Sequence, residues 1–291
     1  MNSFVNDKAF APPKPQGKQD GSDTVWLHVT GKDSSGHYAH RIPALYIRQH
    51  PFQQANFTVL YSHGNAEDLG RAEPWLRYLS KNLQVDVMCY DYSGYGYSKT
   101  VRGEPIVHPN ELYCYANIKT AYNFLVSSGV APDSIIVYGR SIGTGPSVHL
   151  ATERKVGGLI LQSAMMSVVR VVWQSGITMP FDIFCSIDKV NKIKCPTLII
   201  HGKEDQIIPV KHSKMLFKKL QTEKLGLYLR GAGHNNIEQK YRSTLMKSLH
   251  LFIVTIKHNK VKEIHDKECQ KKFSKTYKTR IKPTQQQGVR R

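Results

Sequence analysis

The residues of this chain that could do chemistry lie at three separated points. The first is the segment from Ile135 to Pro146, Ile-Ile-Val-Tyr-Gly-Arg-Ser-Ile-Gly-Thr-Gly-Pro. An apolar, β-branched run meets Gly-x-Ser-x-Gly, and a helix-like stretch follows. That is the sequence form of a sharp strand-to-helix turn with Ser141 at its tip. Such a turn holds Oγ out toward a substrate carbonyl, and Gly139 and Gly143 leave room for neighbouring backbone. It also puts the Ile142 N–H at a helix start, where donors lack intrahelical acceptors. Taken alone the pattern is weak, since roughly one chain in ten of this length carries it by chance at ordinary Gly and Ser usage.

Two partners downstream give it meaning. Pro196-Thr197-Leu198-Ile199-Ile200-His201-Gly202-Lys203-Glu204-Asp205 reads as a strand, then a turn carrying an acid. Leu225 to Asn235 reads as a strand, then a Gly-rich loop carrying His234. Ser, then Asp, then His, each after a strand, is the chain order of α/β-hydrolases. A serine hydroxyl is a poor nucleophile at neutral pH and needs a base. His234 would take its proton, and Asp205 would fix the imidazole tautomer and stabilise the imidazolium. Asp182, Asp188 and Glu204 are the other acids that could serve. Upstream, Val59-Leu60-Tyr61-Ser62-His63-Gly64-Asn65 is an apolar strand running into a turn. The loop after this strand supplies the second oxyanion donor in such enzymes, so the backbone N–H of Asn65 is expected to pair with that of Ile142. His63 and Asn65 could equally do no more than shape the turn with their side chains.

The elements that must position these residues follow from periodicity. Apolar strands near 57–62, 85–90, 134–138, 158–163, 196–201 and 225–230 alternate with helices near 69–82, 110–128, 142–153, 209–220 and 236–258. Such alternation predicts a mostly parallel, doubly wound sheet covered on both faces, with ligands at the carboxyl ends of the strands. Residues 24–30 and 38–48 flank Gly-Lys-Asp-Ser-Ser-Gly and read as an antiparallel hairpin. Tyr241, Leu245, Leu249, Phe252 and Ile256 form an amphipathic stripe for packing on the sheet. Ala164 to Lys194 is the place for a minimal lid. Its Met165, Met166, Val169 and Trp173 are the candidate acyl-pocket residues, or else ordinary core. We therefore expect a flexible segment over 1–23, one α/β-hydrolase domain over 24–258, and a basic, disordered tail over 259–291.

Composition narrows the compartment and the partners. The chain has 291 residues, enough for one large α/β domain. The first twenty-odd residues are polar and Pro/Lys-rich, without the apolar core of a signal peptide. The longest apolar run, Leu249 to Ile256, is interrupted by His250 and Thr255 and falls far short of the roughly 20 residues needed to cross a bilayer. The cysteines, Cys89, Cys114, Cys185, Cys195 and Cys269, are scattered and lack Cys-x-x-Cys spacing, which points away from disulfides and zinc and toward a reducing, cytoplasmic setting. Of the net charge of +19, +9 sits between Lys257 and Arg291, where twelve Lys/Arg face three acids. That tail is either a solvating segment or a device for peripheral attachment to an anionic membrane surface, at roughly 1 kcal/mol per basic residue. Nucleic acid is not the expected partner, because the tail has few aromatics and no recognition motif. No cofactor or metal is expected.

Taken together, Ser-His-Gly-Asn-Ala at 62–66, Tyr-Asp-Tyr-Ser-Gly-Tyr-Gly at 90–96, Tyr-Gly-Arg-Ser-Ile-Gly-Thr-Gly-Pro at 138–146, Ser-Ile-Asp-Lys at 186–189, His-Gly-Lys-Glu-Asp at 201–205 and Gly-Ala-Gly-His-Asn at 231–235 resemble one family. It is the α/β-hydrolase-domain-containing protein 17 group of eukaryotic serine hydrolases, with the bud-emergence-46-like group as a near relative. The resemblance covers roughly residues 38–256. It implies Ser141, Asp205 and His234 as a triad, and a membrane-associated depalmitoylase cleaving S-acyl thioesters of proteins. That group carries an acylated N-terminal cysteine cluster, whereas residues 1–88 here contain no cysteine.

The reading is a serine esterase or thioesterase working through an acyl-enzyme, on an S-acylated protein or a lipid-like ester. The rivals are a lipase or small-ester carboxylesterase, an aminopeptidase-like hydrolase, and a non-catalytic scaffold docking on acidic surfaces.

Overall fold

The computed structural model describes Val5 and residues 9–17, 21–33, 36–49, 55–100, 108–173 and 177–280. Contact density divides the chain into two units, Met1–His250 and Leu251–Arg291. The first holds the α/β architecture. An antiparallel hairpin, β1 (Thr24–Asp33) and β2 (Gly36–Ile47), joins a sheet in the order β1-β2-β4-β3-β6-β7-β8-β9. The remaining strands are β3 (Thr58–Ser62), β4 (Asp86–Tyr90), β6 (Ile135–Arg140), β7 (Gly158–Gln162), β8 (Thr197–Gly202) and β9 (Lys224–Leu229), with a two-residue β5 (Lys99–Thr100) on β2. From β4 across to β9 every neighbouring pair is parallel. The sheet is that of the α/β-hydrolase fold.

The strands form where the apolar runs lie, because a parallel strand covered on both faces needs continuous apolar sequence rather than alternation. All five residues of β3, β4 and β7 and all six of β6 are buried. Helices α1 (Leu69–Leu83), α2 (Glu111–Ser127), α3 (Thr144–Glu153) and α5 (Lys211–Lys219) make the crossovers. The Asp68 carboxylate caps α1 by accepting the Arg71 N–H, and the Asn110 side chain caps α2 by accepting that of Tyr113.

The chain passes from β3 outward to β4, then returns to the other side of β3 with β6. β3 and β6 therefore flank a topological switch point, the usual ligand crevice of an open α/β sheet. Asn65 follows β3 and Ser141 follows β6. Among its described residues the lid segment carries one short helix, α4 (Val168–Val172), and two 3₁₀ turns at Ser186–Asp188 and Val190–Lys192.

Three expectations change. The N-terminal stretch is not a free lead-in. Ala9 and Phe10 are buried, and Phe10 meets Tyr95 and Phe184 edge-on at centroid distances of 6.4 and 6.0 Å. Backbone hydrogen bonds run from Ala11 N–H to Asn65 Oδ1 (2.9 Å) and from Gln16 N–H to Asp68 Oδ2 (2.6 Å). Pro12, Pro13 and Pro15 favour the extended form, so fixing this strap costs less entropy than fixing most sequences. Second, the last helical region divides into α6 (Ile237–Lys240) and α7 (Arg242–Arg280). Leu245 and Leu249 of the predicted stripe are buried, as are Phe252 and Ile256. Third, α7 runs through residues whose charge suggested disorder. From Arg242 to Arg280 there is neither Pro nor Gly, and Lys, Glu and Gln are good helix formers. Residues 281–291 of the expected tail lie outside the described residues.

Phe10→Ala should destabilise the fold by about 3 kcal/mol, through lost aromatic burial. Urea denaturation of the full chain checks this, and a change under ~0.5 kcal/mol, typical of a surface position, would show that the strap contributes no packing.

Candidate active site

The structure brings the three sequence-predicted residues into one relay. Ser141 Oγ lies 3.0 Å from His234 Nε2, and His234 Nδ1 lies 2.7 Å from Asp205 Oδ2. The network assigns the tautomer: Nδ1–H donates to the carboxylate, and Nε2 accepts the serine hydroxyl. These residues come from 93 and 29 positions apart in sequence and meet at the carboxyl ends of β6, β8 and β9.

The turn at Ser141 has the backbone the motif predicted. Ser141 has φ +54°, a left-handed conformation that a non-glycine residue adopts at a cost. A Cβ on Gly139 would lie 2.5 Å from the Gly143 carbonyl oxygen, and a Cβ on Gly143 would lie 2.2 Å from that of Ser62. No real side chain tolerates such contacts. The end of β3 therefore rests directly on the elbow, and the His63 carbonyl of the following loop would lie 2.7 Å from the same Cβ on Gly143. Ile142 is the second residue of the short 3₁₀ turn Ser141–Gly143, where its N–H has no acceptor within the turn.

The Asn65 side chain ties its loop to two distant segments. Its Oδ1 accepts from Ala11 N–H (2.9 Å) and Tyr95 OH (2.6 Å), and its Nδ2 donates to Ala9 O (2.8 Å). With the side chain held this way, the backbone at 64–65 is fixed. Tyr92 OH donates to His63 O at 2.7 Å from the other side. The Tyr-Asp-Tyr-Ser-Gly-Tyr-Gly segment, which has no role readable from sequence, is thus the brace of the loop after β3.

Asp205 has more partners than the motif implied. Oδ1 accepts the N–H groups of Ile207 (3.0 Å) and Ile208 (2.8 Å). His201 Nε2, which donates to Ile208 O at 2.8 Å, also lies 3.3 Å from Asp205 Oδ2. Burial pushes this carboxyl up, but the hydrogen bonds from His201, His234 and Ile208 outweigh it and hold it well below the usual carboxylate range. Asp205 is therefore ionised at neutral pH. Its depressed folded-state pKa contributes stability above the unfolded value near 3.9, and that stability is lost as pH falls through the folded value. An acid limb of activity near neutral pH must then belong to another group. In the sequence His201 is marked only by its i, i+4 spacing to Asp205 across a strand end.

The other acids have different work. Asp182 Oδ1 accepts the Val169 N–H (2.9 Å), Asp188 Oδ2 accepts Thr178 Oγ1 (2.7 Å), and Glu204 Oε2 accepts Gly231 N–H (2.6 Å). The first two tie the lid together, and the third holds the loop that leads to His234. Of the candidate pocket residues, Met165 and Val169 are buried in the core, Met166 is half-buried, and Trp173 is exposed, edge-on to Phe181 at 5.9 Å. Met166 is tied down on both sides, its N–H donating to His212 Nδ1 (3.2 Å) and its carbonyl accepting from Ile187 N–H.

This geometry has relatives. The serine aminopeptidase S33 family matches residues 53–180. The chain is 36% identical over 256 residues to the α/β-hydrolase domain-containing protein aho-3 of Caenorhabditis elegans, covering 81% of this chain and 74% of that protein. It is 40% identical over 200 residues to human α/β-hydrolase domain-containing protein 17B, covering 68% and 66% respectively. The chain belongs to the α/β-hydrolase-domain-containing protein 17 family. Among solved structures, an esterase of Pyrococcus furiosus superposes with a TM-score of 0.62 at 16% identity, over 85% of this chain and 97% of that one. At that identity it shows the fold alone. Because the alignment spans just under two thirds of the human family member, the whole relative's activity does not transfer to this chain by similarity.

Within the family's fold, the residues that meet here can carry out acyl transfer by a serine nucleophile. Ser141→Ala should abolish covalent labelling by a fluorophosphonate probe while leaving the thermal transition in place. His234→Ala and Asp205→Asn should each lower kcat by about 10⁴-fold or more. Asp182→Asn and Asp188→Asn should stay within about tenfold, and a larger loss at either than at Asp205 would show that the acid is misassigned.

Proposed function

We propose that this member of the family is a serine hydrolase that cleaves acyl thioesters and esters through an acyl-enzyme, with S-palmitoylated protein as its substrate class. The observation that supports it is the Ser141–His234–Asp205 relay, at 3.0 and 2.7 Å, on a left-handed elbow at the switch point of the sheet. Ser141 Oγ attacks the carbonyl carbon as its proton passes to His234 Nε2. The N–H groups of Asn65 and Ile142 receive the developing oxyanion. Collapse breaks the C–S bond, and the thiolate leaves with the proton from His234. Water then gives its proton to His234 and attacks the acyl-enzyme, and Ser141 is regenerated as the acid departs. Asp205 orients the imidazole and offsets its positive charge throughout.

The substrate class rests on membership of the family and on the apolar lid residues Trp173, Val172 and Ile177, which are exposed to solvent. One observation favours a small-ester carboxylesterase instead. Met165 and Val169, expected along an acyl channel, are closed into the core. The two readings separate on chain length. Each buried methylene is worth about 0.8 kcal/mol, close to fourfold in rate. For the thioesterase, kcat/KM should climb from C2 to C16 esters and S-palmitoyl peptide should be cleaved. A preference for C2–C4 oxygen esters with no S-palmitoyl cleavage selects the carboxylesterase.

The proposal includes peripheral attachment of a cytoplasmic enzyme to anionic membrane through the +9 segment Lys257–Arg291. No helix among the described residues is long and apolar enough to cross a membrane. Deleting residues 259–291 should leave hydrolysis of a soluble ester within twofold and weaken binding to anionic liposomes, and added salt should reproduce the deletion. Equal liposome binding by both forms would reduce the segment to a solvating one.

A further inference from the structure

Arg140 directly precedes the nucleophile, and its guanidinium is nine-tenths buried. Each of its three nitrogens has a different partner. Nε donates to Glu238 Oε1 (2.9 Å), Nη1 to Glu67 Oε1 (2.8 Å) and Nη2 to Asn235 Oδ1 (3.0 Å). These partners lie 98, 73 and 95 residues away in sequence. Glu67 uses its second oxygen to accept Gly64 N–H at 2.7 Å, which closes the turn that contains Asn65. Asn235 is the residue after His234. Glu238 lies in the first turn of α6, and its Oε1 also accepts from Gln162 Nε2 (2.7 Å) at the end of β7. The turn is built around the guanidinium. A Cβ on Gly64 would lie 2.5 Å from Arg140 Nη1.

We propose that Arg140 is a positioning residue that sets the mutual register of the nucleophile elbow, the Asn65 loop and the His234 loop. It touches neither substrate nor reacting atoms. This inference rests on the serine-hydrolase reading, because register matters only if the three loops act together. The chemistry of the side chain suits the task. A planar guanidinium presents five N–H donors in a fixed fork, so one residue can aim at three acceptors in different directions. A lysine carries the same charge on a single rotatable point and cannot hold all three. Two carboxylates face this one cation, so removing the cation alone leaves two half-buried charges without their partner, and part of any defect would then be simple destabilisation.

The test separates register from stability in the full-length chain. Two variants are made: Arg140→Lys, and the charge-neutral triple Arg140→Met with Glu67→Gln and Glu238→Gln. Each is measured for kcat and KM on a soluble p-nitrophenyl ester, for fluorophosphonate labelling rate and for Tm. Hydrogen exchange over residues 62–69 and 231–240 is followed as well. Arg140→Lys should lower kcat by about 10- to 100-fold with KM within about threefold, the size of effect that a misplacement near 1 Å produces. Exchange should quicken in both segments together. The triple variant should recover Tm toward wild type while kcat and labelling stay low. Wild-type kcat in Arg140→Lys, exchange that changes in only one segment, or recovery of kcat along with Tm in the triple variant would each overturn the proposal. If the wild-type chain fails to label at Ser141, the serine-hydrolase reading falls instead, and joint or separate exchange of the two segments decides the clamp on its own.

Discussion

Ser141 holds a left-handed backbone at φ +54° between a strand and a helix, and the geometry of the site descends from that one strained residue. Such a conformation costs of order 1–3 kcal/mol and survives only where its surroundings over-determine it. Here β6 lies in the interior of the sheet with all six residues buried, and α3 starts at Thr144 with the turn between them already packed. Gly139 and Gly143 let Ser147 Oγ and Ser62 O approach to distances that no Cβ would allow. Relaxing the turn would mean moving β3 or α3. The approach of Ser62 O to Gly143 does a second job, since it seats the loop after β3 against the elbow. The strain and the placement of Asn65 are thus one constraint seen from two sides.

Asp205 shows how the polar groups at this edge are shared. His234 and His201 both approach Oδ2, at 2.7 and 3.3 Å, and each imidazole has a serine on its other nitrogen, Ser141 at 3.0 Å and Ser213 at 2.5 Å. By connectivity alone the chain holds two Ser-His-Asp relays with a common acid. Physical chemistry separates them. Ser213 and His201 are fully buried, Ser213 lies inside α5, and the His201 nitrogen that faces Asp205, Nε2, donates to Ile208 O. No substrate carbonyl can reach that hydroxyl. Ser141 instead stands on an elbow beside N–H groups that a helix start leaves unused. The inner relay keeps the shared carboxylate desolvated yet satisfied, which is what makes it a fixed anion for the outer one.

How much of this was legible in the sequence depends on the range of the interactions concerned. The parallel strands could be read because burial on both faces demands continuous apolar runs, and Ile135–Tyr138 or Thr197–Ile200 show this without any tertiary information. Ser141, Asp205 and His234 could be read because chain order and strand ends fix where they fall. The contacts of Asn65 with Ala9 and Ala11 could not, because they span 56 and 54 residues and involve a segment whose composition alone suggests solvent. The same holds for Arg140, whose position inside Gly-x-Ser-x-Gly looks like the variable slot of a motif. The long helix α7 was hidden for a different reason. Its charge pattern argues for solvation, whereas its lack of helix breakers argues for continuation, and no local rule ranks the two. The lid left two readings open in the sequence, since Met165 and Val169 have the same apolar character whether they line a channel or close it, and in the fold both are buried.

The loop after β3 is held from several directions. The elbow supports it from beneath, Tyr92 and Tyr95 hold its carbonyl and amide through their hydroxyls, and the N-terminal strap occupies the rest of the Asn65 side chain. Phe10 of that strap lies edge-on to Tyr95 and also to Phe184, a residue of the lid segment that itself has φ +52°. Phe184 in turn stands so close to Gly145 of α3 that a Cβ there would lie 2.4 Å away. One aromatic ring therefore joins the brace of the loop after β3 to the end of the lid that rests on α3. Packed contacts of this kind shift between discrete arrangements rather than deform gradually. Any displacement of the strap must act on the Asn65 loop and the lid together, which ties residues 9–17 to the surroundings of Ser141.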